Sequence, residues 1–187
     1  MQNFSHFPNI GNKELLKEYK TAFLCSRKCP ASIVLKSYDW AIAQRQAGKC
    51  VISGFHSKIE KDVLHYLLKG PQPIILALAR GLKSKIEPEI QQAIEENRML
   101  VVTPFDKSIK RITSATATKR NEFMAELADE LFVAYASPNG KLQTLISQNL
   151  AKGKKIVTFD VEENLELIRT GVLPRQEMTV NESATRL

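Results

Sequence analysis

The chain has 187 residues, a length that suits one domain with a substantial hydrophobic core. Its composition, 43% hydrophobic and 25% charged, is that of a globular protein, and no apolar run approaches the roughly 20 residues that span a bilayer, so a membrane protein is excluded. The formal net charge of +7 favours an anionic partner such as a nucleic acid or a nucleotide, although solvated surface lysines would give the same surplus.

Apolar runs that end at turn residues predict about six strands, at residues 21–26, 49–55, 73–79, 99–103, 131–136 and 155–159. Between these runs the apolar residues recur at helical spacing, and Pro30 is well placed to start the first helix. Strand and helix therefore alternate along the chain. This alternation predicts an α/β fold of the Rossmann-like, doubly wound type, with a mostly parallel sheet and helices on both faces.

The domain boundaries follow from the same pattern. We expect residues 1–20 to form a polar lead-in with a short helical turn near Leu15 and Leu16, residues 21–173 to form one domain, and residues 174–187 to form a frayed polar tail. The connection over residues 106–119 is polar and unusually long for a structureless link. Loops of that length in compact domains are often functional.

Small and polar residues follow several of the predicted strands. The carboxyl ends of parallel strands lie at one edge of the sheet, where helix N-termini offer free backbone N–H groups to anions. Arginine binds phosphate oxygens bidentately, and glycine lets backbone donors approach closely. We therefore predict a phosphate-binding crevice that binds DNA or a nucleotide through Ser26, Arg27, Ser53, Gly54, Lys119, Arg120, Asn121, Ser137, Asn139, Gly140 and Lys141.

Each part of this set has a purely structural alternative. Ser53-Gly54 is also a plain strand-to-helix turn, and Asn139-Gly140 is a common turn pair. Arg120 would pair with Glu122 or Glu126 on an exposed helix face. However, we place Arg120 at the start of a helix, where a cation opposes the helix dipole unless an anion joins it.

Catalytic and metal sites have weaker support. His56 is the one histidine placed to act as a base, and the sequence lacks a Walker loop, a GxGxxG turn after the first strand and a GxSxG elbow. We interpret the three cysteines, Cys25, Cys29 and Cys50, as reduced thiols of the core. A zinc site would need a fourth ligand, and His56 is the one candidate nearby in the sequence. The first ten residues show no signal peptide. We expect a cytoplasmic protein with no catalytic residue, metal or cofactor.

The order of these landmarks resembles the Rossmann-like domain of the DNA-processing protein A family, also called DprA or Smf. Cys25-Ser26-Arg27 stands where that family has Gly-Ser-Arg, and Ser53-Gly54 stands where it has Ser-Gly. Arg120-Asn121-Glu122 is similar to its Arg-Asn-Arg, and residues 138–142 are similar to its Ser-Gly-Ser-Leu turn. The resemblance covers most of residues 21–173, through order and spacing more than identity.

The resemblance implies a domain that binds single-stranded DNA along a basic pocket, forms a homodimer and hands the strand to a recombinase. The pocket residues it implies are Arg27, Ser53, Gly54, Lys119, Arg120, Asn121 and Lys141. Two departures bear on that pocket. Cys25 replaces the turn glycine of the family, and Glu122 replaces the second arginine of Arg-Asn-Arg and removes a positive charge.

The wider superfamily includes lysine-decarboxylase-like, cytokinin-activating proteins, which hydrolyse nucleotides with an arginine and a glutamate. Arg120 matches their arginine, but residues 138–146 lack their glutamate, so a hydrolase of this type is not expected. Three hypotheses stay open: a module that binds single-stranded DNA, a sensor or enzyme for a small nucleotide derivative in the same crevice, and a scaffold that acts through oligomer contacts.

Overall fold

The computed structural model describes residues 7–83 and 85–175. Its centre is an eight-stranded sheet in the order β1-β5-β4-β3-β2-β6-β7-β8. All neighbouring strands are parallel except β1, which pairs antiparallel with β5. The strands are β1 (Asn9–Gly11), β2 (Lys20–Cys25), β3 (Cys50–Ser53), β4 (Ile74–Ala77), β5 (Met99–Val102), β6 (Glu130–Tyr135), β7 (Lys155–Phe159) and β8 (Leu173–Arg175).

Helices connect the parallel strands and cover both faces of the sheet. The helices are α1 (Ala31–Gln46), α2 (Lys58–Leu68), α3 (Pro88–Glu95), α4 (Ser114–Leu127), α5 (Lys141–Ala151) and α6 (Leu165–Arg169), with short 3-10 helices at Lys13–Lys17 and Glu162–Asn164. None of the described helices is both long and apolar enough to cross a membrane.

Strand β2 shows why the sheet is covered on both sides. Leu24 points into a core formed with α4 and α5, whereas Phe23 points into a second core formed with α1, α2 and α3. Successive side chains of a strand face opposite ways, so an apolar strand such as β2 buries both faces only between two helical layers. The predicted fold class, a doubly wound and mostly parallel α/β sheet, is confirmed.

The sheet has two more strands than the sequence pattern predicts. β1 lies inside the expected lead-in and pairs Asn9 with Val102, and β8 adds three residues beside β7. Both are edge strands too short to show a period of two, and β8 contains Pro174. The expected turn near Leu15 is the 3-10 helix at Lys13–Lys17. Residues 1–6 of the lead-in and 176–187 of the tail lie outside the described residues.

The predicted polar connection is shorter than expected, because α4 begins at Ser114 rather than near Lys119. A capping box starts the helix: the Thr113 hydroxyl accepts from the Thr116 N–H, and the Thr116 hydroxyl accepts from the Thr113 N–H. The sequence does not show the usual pattern of a capping box, because Thr116 occupies the third helical position where Glu or Gln is common. Arg120 therefore lies in the second turn of α4, so the prediction that it stands at the helix start and opposes the helix dipole is wrong.

An aromatic cluster fixes the packing of α1 on the centre of the sheet. The Phe132 ring is fully buried, and its centroid lies 4.7 Å from the Trp40 ring, 4.9 Å from the Phe159 ring and 6.2 Å from the Phe23 ring. Aromatic pairs at such separations stabilise a core beyond the area that they bury.

We expect Phe132→Ala to lower the free energy of unfolding by about 3–5 kcal/mol, because it opens a cavity that the surrounding rings cannot fill. Urea denaturation followed by circular dichroism would measure the loss. Tyr19→Ala is the control, since that ring is 54% exposed and its removal should change stability by no more than about 0.5 kcal/mol. Equal effects of the two substitutions would contradict this account of the core.

Candidate nucleic-acid interface

The candidate site lies where the strand order reverses. From β2 the chain builds outwards through β3, β4 and β5 and then returns to place β6 on the other side of β2. In open α/β sheets, ligands bind outside the carboxyl ends of the strands at such a point. Two turns meet here: the Ser137 N–H donates to the Ser26 hydroxyl at 2.9 Å, and the Ser26 N–H donates to the Tyr135 carbonyl at 2.9 Å.

A polar crevice of about 770 Å³ opens beside these turns. We call it the polar crevice, and its side chains come from the turn after β2 and from the starts of α2, α4 and α5. Its polar lining residues are Ser26, Arg27, His56, Glu60, Thr113, Ser114, Thr118, Asn121 and Lys141, together with the Cys25 thiol. Its apolar lining residues are Leu24, Ile112, Ala117 and Leu142.

Two cations stand at the polar crevice. The Lys141 ammonium donates to the Ser114 hydroxyl at 2.6 Å, and this bond ties the first turn of α5 to the first turn of α4. Arg27 is exposed and makes no hydrogen bond or ion pair with the described residues. Gly140 precedes α5 as its N-cap residue, and no side chain caps the start of this helix. Cations and uncapped backbone N–H groups together make this edge of the sheet attractive to anions.

Glu60, the acidic residue that lines the polar crevice, forms hydrogen bonds with backbone N–H groups of this chain. Its carboxylate accepts from the backbone N–H groups of His56 at 3.0 Å and Ser57 at 2.8 Å, as part of the capping box of α2. Glu60 is buried, with 6% of its surface exposed. The N–H groups that precede α2 therefore bind a carboxylate of this chain, and the donors left for a ligand come from the other walls of the crevice.

The Arg120 guanidinium is buried against the backbone of Gly54. Arg120 is 5% exposed, its Nε donates to the Asn121 side-chain oxygen at 2.8 Å, and one terminal nitrogen lies 3.5 Å from the Ala77 carbonyl. A Cβ on Gly54 would lie 1.4 Å from that nitrogen, so only glycine allows this approach. Burial lowers the pKa of Arg120, and the Glu60 charge opposes the shift.

Arg120 and Gly54 do not line the polar crevice. They line a neighbouring cavity of about 540 Å³, which we call the apolar cavity. Its walls carry the apolar residues Leu64, Leu68, Leu76, Leu78, Ile90 and Val101. His56 and Ile112 border both the polar crevice and the apolar cavity, so the two spaces adjoin.

The other predicted site residues lie near the polar crevice without lining it. The Ser53 hydroxyl is fully buried and donates to the Phe23 carbonyl at 2.9 Å, and the Lys119 ammonium lies 5.5 Å from the centre of the Phe105 ring. Ser137, Asn139 and Gly140 form the turn into α5, in which the Asn139 N–H donates to the Gln143 side chain at 2.7 Å. The structure thus brings Ser26, Arg27, Asn121 and Lys141 together at the polar crevice.

Sequence reasoning missed several lining residues. Thr113 and Ser114 fall inside the connection predicted over residues 106–119, and nothing in their sequence pattern predicts a helix start there. Glu60 could have been found, since Ser57 followed three residues later by Glu60 is the sequence signature of a capping box. Glu122, which removes a positive charge from the family motif, is exposed on α4 and does not line the polar crevice.

His56, the histidine that the sequence places best to act as a base, lines both the polar crevice and the apolar cavity. Partial burial lowers its pKa below 6.5, and the nearby positive charge of Arg120 lowers it further, while Glu60 opposes the shift. The imidazole is therefore neutral at neutral pH and offers one donor and one acceptor to a ligand.

We expect Gly54→Ala to lower the free energy of unfolding by about 1–3 kcal/mol, because the new methyl group displaces the Arg120 guanidinium. Thermal and urea unfolding would measure the change. The same substitution in an Arg120→Ala background should cost less, with a coupling energy of about 0.5–3 kcal/mol between the two positions. If the effects of Gly54→Ala and Arg120→Ala on the free energy of unfolding simply add, the contact between the two residues is not the reason why residue 54 must be glycine.

The pKa of His56 also predicts a dependence of stability on pH. The folded state binds a proton at His56 less readily than the unfolded state, so the unfolding free energy should fall as the pH drops through about 6.5. His56→Gln should flatten this part of the curve. Titration of the imidazole by NMR should give a pKa below 6.5 that rises in Arg120→Met. A pKa at or above 6.5 in the native chain would contradict the assigned environment.

Solved structures of other proteins share this fold. DNA processing protein A of Streptococcus pneumoniae superposes with a TM-score of 0.73 at 19% identity, covering 89% of this chain and 62% of that one. A DNA processing protein A of Helicobacter pylori, described by its single-stranded DNA binding mode, gives 0.72 at 16% identity, covering 90% and 80%. The molybdenum cofactor binding protein of Rippkaea orientalis gives 0.58 at 9%, covering 85% and 88%.

This chain thus spans less than two thirds of the pneumococcal protein. No curated protein sequence matches it. The sequence model of one family, DNA recombination-mediator protein A, matches residues 6–172, which is most of the chain. That match agrees with the resemblance seen in the order of the turns and with the shared fold. The chain belongs to the DNA recombination-mediator protein A family.

Proposed function

We propose that this protein binds single-stranded DNA by holding backbone phosphates in the polar crevice. The observation that carries the proposal is the pair of cations, Arg27 and Lys141, that faces an open crevice whose one acidic residue, Glu60, is already engaged by backbone donors. Family membership supports the proposal, as does the description of the Helicobacter pylori relative as a protein that binds single-stranded DNA.

The chemistry of the crevice suits phosphate more than a metal or a reactive carbonyl. Arg27 offers a guanidinium fork that matches two phosphate oxygens, and Lys141 adds a point charge at the start of α5. The hydroxyl groups of Ser26 and Ser114 line the same walls, and because each accepts a hydrogen bond within the chain, its own proton can be donated to a phosphate oxygen. These groups recognise the backbone and not the bases, so this part of the site should bind strands with little regard to sequence.

A basic loop leads into the crevice. Lys107, Lys110 and Arg111 are exposed on the segment between β5 and α4. The Gly81 N–H donates to the Ile109 carbonyl at 2.8 Å, which holds that segment on the turn after β4. The additional cations extend the positive field beyond the crevice and should speed the encounter with a polyanion.

The proposal includes the partners that the family resemblance implies, a homodimer and a recombinase that receives the strand. It does not include hydrolysis. Arg120 is buried beside Gly54, and the segment that opens α5 lacks the glutamate of the hydrolytic relatives.

We expect a fluorescein-labelled oligonucleotide to bind with an affinity that falls steeply with salt. On single strands the slope of log K against log salt is about −0.7 for each phosphate neutralised. Arg27→Gln and Lys141→Gln should each weaken binding and reduce the slope by about 0.7. Fluorescence anisotropy at several salt concentrations would measure affinity and slope together.

Lys49→Gln is the matched control, since it removes the same charge from an exposed lysine that precedes β3, at the opposite edge of the sheet. The proposal fails if the oligonucleotide does not bind at low salt, and also if Lys49→Gln reduces the slope as much as Lys141→Gln. Failure at low salt would leave a small nucleotide derivative as the ligand to test.

A further inference from the structure

The segment that leads into α4 is an exposed stretch of chain with basic and hydroxyl side chains. Residues 106–113 form neither helix nor strand, and all of them except Ile109 are exposed. Ser114, the first residue of α4, is exposed as well. An enzyme that modifies a hydroxyl group needs its acceptor on a segment that fits into an active site, and this segment is accessible in that way.

The contacts of Ser114 distinguish it from the hydroxyl residues beside it. The Thr113 hydroxyl belongs to the capping box of α4, and the Thr118 hydroxyl donates to the Ser114 carbonyl at 3.0 Å. The Ser114 hydroxyl instead lines the polar crevice and accepts from the Lys141 ammonium at 2.6 Å. Its oxygen is therefore both accessible from outside and in contact with a cation of the crevice.

The charges that precede Ser114 are positive. Lys110 and Arg111 stand four and three residues before it, and both are exposed. The sequence has no acidic residue between Asp106 and Glu122. Protein kinases select their substrates in part by such charge patterns, so a kinase with an acidic binding groove suits this segment.

We propose that Ser114 is a phosphorylation site and that its phosphate closes the polar crevice to DNA. In the transfer, the Ser114 Oγ attacks the terminal phosphorus of ATP and the bond from that phosphorus to ADP breaks. The hydroxyl proton passes to a carboxylate of the kinase. The product carries a charge of about −1.5 to −2 at pH 7.

The new phosphate binds the cations that DNA phosphates would use. Because the Ser114 oxygen already lies 2.6 Å from the Lys141 ammonium, phosphate oxygens attached to it reach the same nitrogen. Arg27 is exposed at the same crevice and offers a second cation. The start of α4 tolerates the added charge, since the helix dipole favours an anion there. The inference rests on the proposed function, which assigns Arg27 and Lys141 to the DNA backbone.

A protein kinase that selects basic substrates, supplied with ATP, tests the site itself. Mass spectrometry of peptides from the native chain should find the phosphate on Ser114. Arg111→Gln should lose most of this incorporation, because it removes the cation three residues before the acceptor. Absence of phosphate from Ser114 of the native chain would overturn the inference.

The effect on DNA is measured with chains that carry phosphoserine at a single position. Phosphorylation of Ser114 should weaken oligonucleotide binding roughly ten-fold or more and lower the salt slope by about 1.4, since two cations are no longer free. Phosphorylation of Ser108 is the matched control, because Ser108 is exposed on the same segment but does not line the crevice. It should keep the slope, and equal losses at the two positions would contradict a specific closure of the crevice.

A phosphorus NMR titration separates this inference from the proposed function. Contact with Lys141 should hold the pKa of the phosphate on Ser114 below about 6, and Lys141→Gln should raise that pKa towards the value for the phosphate on Ser108. If the unphosphorylated chain binds no oligonucleotide, the proposed function fails, while a lowered pKa still supports the contact with Lys141. Equal phosphate pKa values at the two positions would overturn the inference whether or not DNA binds.

Discussion

The parallel pairing of β2 with β3 on one side and β6 on the other is the constraint on which the site depends. It brings the turn after β2 next to the turn after β6, and the Ser26 hydroxyl then accepts from the Ser137 N–H at 2.9 Å. α4 and α5 start at the same edge, where the Lys141 ammonium reaches the Ser114 hydroxyl. A crevice lined by cations and hydroxyl groups follows from the order of the strands, because each carboxyl end contributes a turn to one edge of the sheet.

The contact between Arg120 and Gly54 separates the site into two chemical environments. Because residue 54 has no side chain, a guanidinium can lie on the backbone where any other residue would collide with it. This places a buried cation on the side of the apolar cavity and leaves Arg27 and Lys141 for the polar crevice.

The family departures in this chain have different consequences. Cys25 stands where the family has a turn glycine, and its thiol packs against the second core and donates to the Ser26 carbonyl at 3.4 Å. Burial raises the pKa of this thiol and keeps it protonated. Glu122 stands where the family has an arginine, but it is exposed on α4 and does not line the polar crevice. The positive charge that this chain lacks at residue 122 is therefore missing from the surface of α4 and not from the polar crevice. The cations that line the crevice are Arg27 and Lys141.

The sequence by itself determined the fold class, since apolar runs and helical stripes depend on local spacing that a single chain displays. It also placed Ser26, Arg27, Asn121 and Lys141 at one edge, because carboxyl ends of parallel strands converge. Only the tertiary structure decided that α4 begins at Ser114, that the Arg120 guanidinium is buried, and that the apolar cavity adjoins the polar crevice. Burial and cavities depend on which distant segments of the chain come into contact, as Gly54 and Arg120 do. A local sequence pattern does not predict such contacts.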